Sequence, residues 1–275
     1  AEKPFVLSLS FSAPHAHDGA ELQYFWSSAY DTLYQNLVVP DPLLSEDKYF
    51  QTLPEYIRTG ENRTRWNWRF DTPEKYQRSV KGYFRMISEV DAEIGKIRKA
   101  LEAKGLAENT VIILMGDNGY FLGERQLAGK WLMYDNSLRV PLILYDPRQI
   151  GGERNTDFAL NIDIPSTILD LAGVAAPKSW QGTSLRSKEL SERKDFLSEH
   201  LWQVDIIAPS EAIRTERWKY LRYINDPQQE ELYDLVLDPM ETNNLVTDPL
   251  HQEILKELRI KMEQKIAGYL KAKIQ

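Results

Sequence analysis

Val111-Ile112-Ile113-Leu114-Met115-Gly116-Asp117-Asn118-Gly119 is an apolar, β-rich run that breaks abruptly into a carboxylate and an amide flanked by glycines. The run predicts a buried strand, and the glycines let the backbone turn tightly so that its C-terminal tip presents Asp117 and Asn118 side by side. In open α/β sheets such strand tips are where ligands bind. Adjacent carboxylate and amide oxygens suit a hard divalent cation, Ca²⁺ or Mg²⁺. An Asp-Asn-Gly turn that merely closes a strand is the other reading of the same tripeptide.

Upstream, Thr72-Pro73-Glu74 is a helix start: a capping hydroxyl, proline in the first turn, then an acid. Tyr76, Val80, Tyr83, Phe84, Ile87, Val90, Ile94, Ile97 and Leu101 recur at spacings of three and four, and Gly105 is a suitable stop. This helix feeding the 110–115 strand is an α/β unit. Residues 4–11 read as another buried strand, ending in the polar segment that holds His15 and His17. Residues 20–71, rich in Trp, Tyr and Pro, read as a long excursion with short helices, a kind of segment that is usually functional. Residues 120–139 read as a loop with a short helix, 140–145 as a strand with Pro141 in its first residues, and 163–173 as a short capped helix.

From about residue 190 the texture changes. Short strands are predicted at 196–198, 211–214, 218–223 and 232–235, followed by an amphipathic helix from near Pro249 that carries Ile254, Leu255, Leu258, Met262, Ile266 and Leu270. The expected division is an α/β portion over 1–190 and a small α+β subdomain, with an antiparallel sheet and terminal helix, over 191–275.

Composition narrows the function. With 42% hydrophobic and 11% aromatic residues in 275, the chain can bury a core. A net charge of −7, with dispersed acids and no basic stripe, argues against nucleic acid. No apolar run approaches the roughly 20 residues of a membrane span. The absence of cysteine excludes disulfides, thiolate metal sites and a cysteine nucleophile within this sequence. The opening Ala1-Glu2-Lys3, placed directly before a core-like segment, leads us to expect a processed or truncated product.

Three polar clusters fall at predicted strand tips or the loops after them: His15 with His17, Asp117 with Asn118, and Gly123–Lys130. Together they could supply an oxygen-ligated cation, a lysine point charge and a hydrogen-bonding imidazole, which is the equipment of an oxyanion site. Pro14-His15, Gly116-Asp117-Asn118-Gly119-Tyr120-Phe121-Leu122-Gly123-Glu124, Gly129-Lys130 and Ser137-Leu138-Arg139-Val140-Pro141 resemble, in order, motifs of the type I, formylglycine-dependent sulfatases. Glu231-Leu232-Tyr233-Asp234-Leu235, Asp238-Pro239, Glu241 and Asn243-Asn244-Leu245 are similar to that family's C-terminal subdomain.

The resemblance implies an alkaline-phosphatase-like α/β fold and hydrolysis of sulfate esters, with sulfated carbohydrate as the expected substrate. It implies Ca²⁺ (or Mg²⁺) ligation by Asp117 and Asn118, sulfate binding by Lys130, and contact of His15 with the sulfate or leaving group. It also implies a periplasmic, secreted or lysosomal setting. The family motif is Pro-His-x-Pro, and His17 stands here where Pro is common, adding a second imidazole. The family's nucleophile, a formylglycine made from a Cys/Ser-x-Pro-x-Arg motif, has no counterpart in this sequence, nor do its first acidic metal ligands. The chain is therefore expected to be the C-terminal part of a sulfatase, inactive by itself and partnered by the N-terminal segment.

Ser198-Glu199-His200-Leu201-Trp202 leaves a predicted strand and suits sugar contact, the indole stacking on a sugar face; a satisfied histidine and a packing tryptophan are the alternative. Trp66 and Trp68, alternating with Arg65 and Arg69, either line a cleft or pack. Arg139 is expected in a structural ion pair and His251 in solvent. Two competing functions share these residues: a phosphate-ester hydrolase of the same superfold, and a non-catalytic carbohydrate- or anion-binding protein. The modest number of histidines, four, weighs against the first, whose metal sites use more of them.

Overall fold

The computed structural model describes residues 3–202 and 206–271. Strand β1 (Ile112–Met115) pairs antiparallel with β4 (Leu142–Tyr145), from Ile112 opposite Tyr145 to Met115 opposite Leu142. Pro141 precedes β4, and its carbonyl accepts the Gly116 amide at 3.2 Å, extending the ladder to the foot of the Asp117-Asn118 turn. The ribbon is half-buried rather than buried: Leu114, Ile143 and Tyr145 are 38%, 56% and 45% exposed.

Residues 4–11 form no strand, which corrects the expectation for them. Phe5, Val6, Leu7 and Leu9 are between 52% and 72% exposed. An apolar, β-prone sequence becomes a strand only when a neighbour takes up its backbone hydrogen bonds, and among the described residues β1 and β4 pair only with each other.

Four helices cross the region before β1: α1 (Asp47–Gln51), α2 (Glu55–Arg58), α3 (Glu61–Arg69) and α4 (Pro73–Ala103). The start of α4 follows its sequence signals, Thr72 Oγ1 accepting the Lys75 amide at 3.2 Å with Pro73 in the first turn. Its end has Gly105 at φ +64°. Gly82 marks where the residue 20–26 loop presses on the helix, since a Cβ there would come within 2.8 Å of Trp26 and 2.9 Å of Tyr24.

Between β1 and β4 the chain makes a small hairpin of β2 (Phe121–Leu122) and β3 (Ala128–Gly129), then the single turn α5 (Asp135–Leu138). After β4 comes α6 (Asp163–Leu171), whose buried Asp163 carboxylate is forked by Arg193 and also accepts the Leu160 and Thr183 amides.

The C-terminal sheet is antiparallel in the order β5 (Asp195–His200), β6 (Ser210–Thr215), β7 (Trp218–Tyr223) and β8 (Asp226–Asp234). Alternation gives it two apolar faces. Ile213, Tyr220 and Leu232 pack on Leu255, Leu258 and Met262 of the last helix, α7 (Gln252–Lys271). Ala212, Leu221, Tyr223 and Tyr233 pack instead against Phe50, Leu53 and Ile57 and against Phe121, Leu127, Leu132, Met133 and Tyr134. The β2–β3 hairpin and the short helices therefore rest on the sheet face opposite α7. His251 is not solvated as expected: its ring packs on Trp218 at 5.6 Å, and Nδ1 pairs with Asp248 at 2.9 Å. No helix among the described residues is long and apolar enough to cross a membrane.

Candidate functional site

The turn after β1 is shaped by its neighbours. Asp117 Oδ1 accepts the Asn118 amide at 2.9 Å, and Asn118 Nδ2 donates to the Gly119 carbonyl at 2.7 Å. These bonds leave Asp117 Oδ2 and Asn118 Oδ1 as two hard oxygen donors on a partly open surface. Asn161 Nδ2 fixes the Asp117 carbonyl at 2.9 Å. Gly119 is required because α5 lies directly against it: its amide donates to the Ser137 carbonyl at 2.8 Å, and a Cβ would fall 2.1 Å from the Asn136 carbonyl oxygen.

Lys130 leaves the end of β3. Buried Asn62 of α3 holds the local backbone, Nδ2 donating to the Ala128 and Lys130 carbonyls at 3.0 and 2.9 Å. Gly129 takes φ +101°, a conformation that favours glycine. Burial lowers the pKa of the Lys130 ammonium; the Asp117 and Asp18 carboxylates act to raise it, and the Arg65 and Arg69 guanidiniums to lower it. These five charges therefore share one field.

Asp18, in the turn that begins at His17, is the pivot of that field. Arg65 Nη2 reaches it at 2.8 Å while Arg65 Nε bonds Glu61 at 2.7 Å. Arg69, 1% exposed, donates to Asp18, to Gln23 and, at 2.5 Å, to the Tyr120 hydroxyl. Tyr120 follows the Asp117-Asn118-Gly119 turn directly, so Arg69 joins the histidine loop to that turn. Both histidines are exposed. His15 Nδ1 donates to the Ala16 carbonyl at 2.7 Å, which leaves Nε2 on the open side of the ring, and His17 meets Phe25 edge-on at 6.1 Å.

Asn62, Asp18, Arg65 and Arg69 were not assigned site roles from the sequence. A signal existed: Asn62, Arg65 and Arg69 recur at three- and four-residue spacing, which puts them on one face of a helix. Of the two tryptophans beside them, Trp66 packs against the Val39–Phe70 cluster under Arg63, whereas Trp68 is 42% exposed in an open groove with Trp26 and Arg78.

The residues at the end of β5 divide. Glu199 lies opposite Glu211, and Glu211 opposite Arg222, which binds Glu263 of α7 at 2.5 Å; Glu199 therefore faces the α7 side. Burial and the Glu211 charge raise its pKa. His200 lies opposite Ser210 and Tyr223, on the face that carries the β2–β3 hairpin, and burial lowers its pKa. The structure thus does not bring Glu199 and His200 to one surface, because successive strand residues point to opposite faces. Trp202 follows, 62% exposed. The same loop returns to α3, where the Glu61 amide donates to the Ile206 carbonyl at 2.9 Å.

The expectation of an ion pair for Arg139 is corrected. Arg139 is exposed and makes no ion pair among the described residues. Glu124 accepts the Leu122 amide at 2.6 Å within the hairpin. Arg125, 2% exposed, donates to the Met240 and Glu241 carbonyls at 2.6 Å. Glu241 in turn binds Lys219 at 2.5 Å and accepts the Asp135 amide at 2.8 Å, and Lys219 also reaches Asp135 at 2.5 Å. This buried network ties α5, and through it the Asp117-Asn118 turn, to the C-terminal sheet. Among the described residues no cluster of three or more His, Asp or Glu forms a metal site. Asp117 and Asn118 fit a hard cation in donor type and would offer two of the six to eight oxygens that Ca²⁺ takes.

Comparison with known proteins places the chain in a family. The sulfatase family profile matches residues 1–174, and that of the C-terminal part of N-sulphoglucosamine sulphohydrolase matches residues 123–268. An N-acetylglucosamine-6-O-sulfatase of Bacteroides thetaiotaomicron is 32% identical over 69% of the chain, which covers 36% of that protein. A choline-sulfatase of Rhizobium meliloti is 31% identical over 90% of the chain, which covers 48% of it. The chain thus spans about half or less of the length of these relatives. A solved structure of a protein in complex with its substrate D-glucosamine-2-N,6-O-disulfate superposes with a TM-score of 0.80 at 23% identity, covering 94% of this chain and 64% of that one. The motif order, the two profiles and the shared alkaline-phosphatase-like α/β fold make this chain a member of the sulfatase family.

Proposed function

We propose that this chain forms the sulfate-binding part of a sulfuric ester hydrolase that acts on sulfated carbohydrate. The observation that carries this reading is the convergence of Lys130, Asp117, Asp18, Arg65 and Arg69 in one electrostatic field, at the tip of β1 and the end of β3. Lys130 holds a sulfate oxygen as a point charge. His15, its Nδ1 engaged by the Ala16 carbonyl, offers Nε2 to the sulfate or the leaving-group oxygen, with His17 beside it. Asp117 and Asn118 ligate Ca²⁺ (Mg²⁺ being the alternative), which when bound polarises the sulfate. Arg65 and Arg69 hold Asp18 and the histidine turn in place. His200 and Trp202 are the candidate sugar contacts; Glu199, turned toward α7, stands apart from them. The similarity to a protein named for N-acetylglucosamine 6-O-sulfate supports a sulfated sugar as substrate.

The sequence holds no Cys/Ser-x-Pro-x-Arg motif, so the formylglycine nucleophile and the remaining acidic ligands are to come from another sulfatase segment. The exposed apolar residues of 5–11 and of the β1–β4 ribbon suit a seat for that segment. The test is sulfate release from a panel of sulfated saccharides, with a phosphate monoester as comparison and with and without Ca²⁺. It is run on the chain alone and on the full-length protein that contains it. Sulfate release by the full-length protein only is expected. Preference for the phosphate monoester, or tight saccharide binding without hydrolysis, would replace this reading.

A further inference from the structure

Trp131 sits at φ +81°, a left-handed conformation that bulky residues avoid. Such a conformation persists only where the surroundings over-determine it, and residues held this way concentrate at functional sites. The surroundings here are specific. The Arg65 guanidinium lies 4.7 Å from the indole centroid and is itself fixed by Asp18 at 2.8 Å and Glu61 at 2.7 Å. A Cβ at Gly129 would lie 3.1 Å from Trp131 Cζ3 and 3.6 Å from Arg65 Cδ, so the hairpin carries no side chain where the indole rests.

In an extended chain, consecutive side chains point to opposite sides, and Lys130 and Trp131 would diverge. With the left-handed turn at Trp131, Arg65 lies over the indole, and its charge also acts on the Lys130 ammonium. The Nε and Nη2 donors of Arg65 are already taken by the two carboxylates. Its role beside Lys130 is to hold the ring rather than to receive a second anion.

We propose that Trp131 is a specificity-determining residue, its half-buried indole forming an apolar wall beside Lys130 against which the ring of a sulfated pyranose leans. This rests on the sulfate-ester reading above. An aromatic face covers the C–H face of a sugar while its rim hydroxyls stay solvated, and a Lys130-bound sulfate would bring the attached ring to that surface.

Trp131→Gly in the full-length protein tests it, because glycine suits a positive φ and removes the indole without straining the turn. Two ligands are compared: inorganic sulfate as a competitive inhibitor, and N-acetylglucosamine 6-sulfate as substrate. The KM for the saccharide is expected to rise on the order of tenfold, the scale of one lost aromatic contact, with inhibition by inorganic sulfate little changed. Trp131→Phe, which keeps a ring, is expected to recover most of the saccharide affinity. An unchanged saccharide KM in Trp131→Gly, or equal weakening of both ligands, would overturn the proposal. Lys130→Ala is run in parallel. If it leaves sulfate inhibition intact, the sulfate-ester reading falls and this proposal with it; if it abolishes sulfate inhibition, the outcome for Trp131 stands on its own.

Discussion

The Gly119 amide donates to the Ser137 carbonyl at 2.8 Å, fastening the Asp117-Asn118 turn to α5 with no room for a side chain between them. Gly119→Ala would place its Cβ 2.1 Å from the Asn136 carbonyl oxygen and 2.9 Å from that of Arg139, and both carbonyls are backbone, so the turn must move. The expected cost is about 1–3 kcal/mol, the range for overpacking, together with weakened Ca²⁺ binding. Urea denaturation and calorimetric Ca²⁺ titration of the full-length protein check the two effects. Wild-type Ca²⁺ affinity in this variant would show that the turn geometry does not set the ligands.

Glu241 acts on the same turn from the far side of α5. Its carboxylate and Lys219 are 2% and 0% exposed, and it also accepts the Asp135 amide. Glu241→Gln keeps the shape and removes the charge, leaving the buried ammonium with Asp135 alone. Losing one partner of a buried ion pair costs about 3 kcal/mol, read as a shift of the urea midpoint. A variant within a few tenths of a kcal/mol of wild type would mean that Asp135 suffices to hold Lys219.

What the sequence discloses follows from how local its causes are. The α4 boundaries were legible because Thr72, Pro73 and Gly105 act within one turn of their own positions. The C-terminal strands were legible because their alternation meets a core on both faces. Residues 4–11 misled, since a β-prone sequence does not say whether a partner strand is present. The bonds of Asp18 to Arg65 and Arg69 join segments some fifty residues apart and leave no local mark. Glu199 and His200 were read as a pair although adjacency on a strand separates them, a distinction the sequence itself contained.

His200 gives a pH-dependent prediction. Burial lowers its folded-state pKa below the ordinary value of 6.5, so between the folded and unfolded values the unfolded chain binds the proton more readily. Stability should therefore be fully present above pH ~6.5 and fall as the pH drops through that window, flattening once it passes the folded value. Melting temperature against pH, compared with His200→Gln, isolates the effect. A Gln variant with the same slope through this window would assign the dependence to other groups.

Lys130 and Asp117 share one field but act on different partners, and that separates their variants. On the proposed function Lys130→Ala removes the point charge at the oxyanion, and loss of one such stabilising group lowers kcat by roughly 10²–10³. Ca²⁺ content should survive, because both proposed ligands, Asp117 and Asn118, remain and a nearby positive charge is lost. Asp117→Ala takes the only full negative charge from that pair and should abolish Ca²⁺ retention and activity together. Elemental analysis beside sulfate-release kinetics on the full-length protein distinguishes the two. Unchanged Ca²⁺ content in Asp117→Ala would remove it from the metal site, and wild-type turnover in Lys130→Ala would remove the lysine from the sulfate.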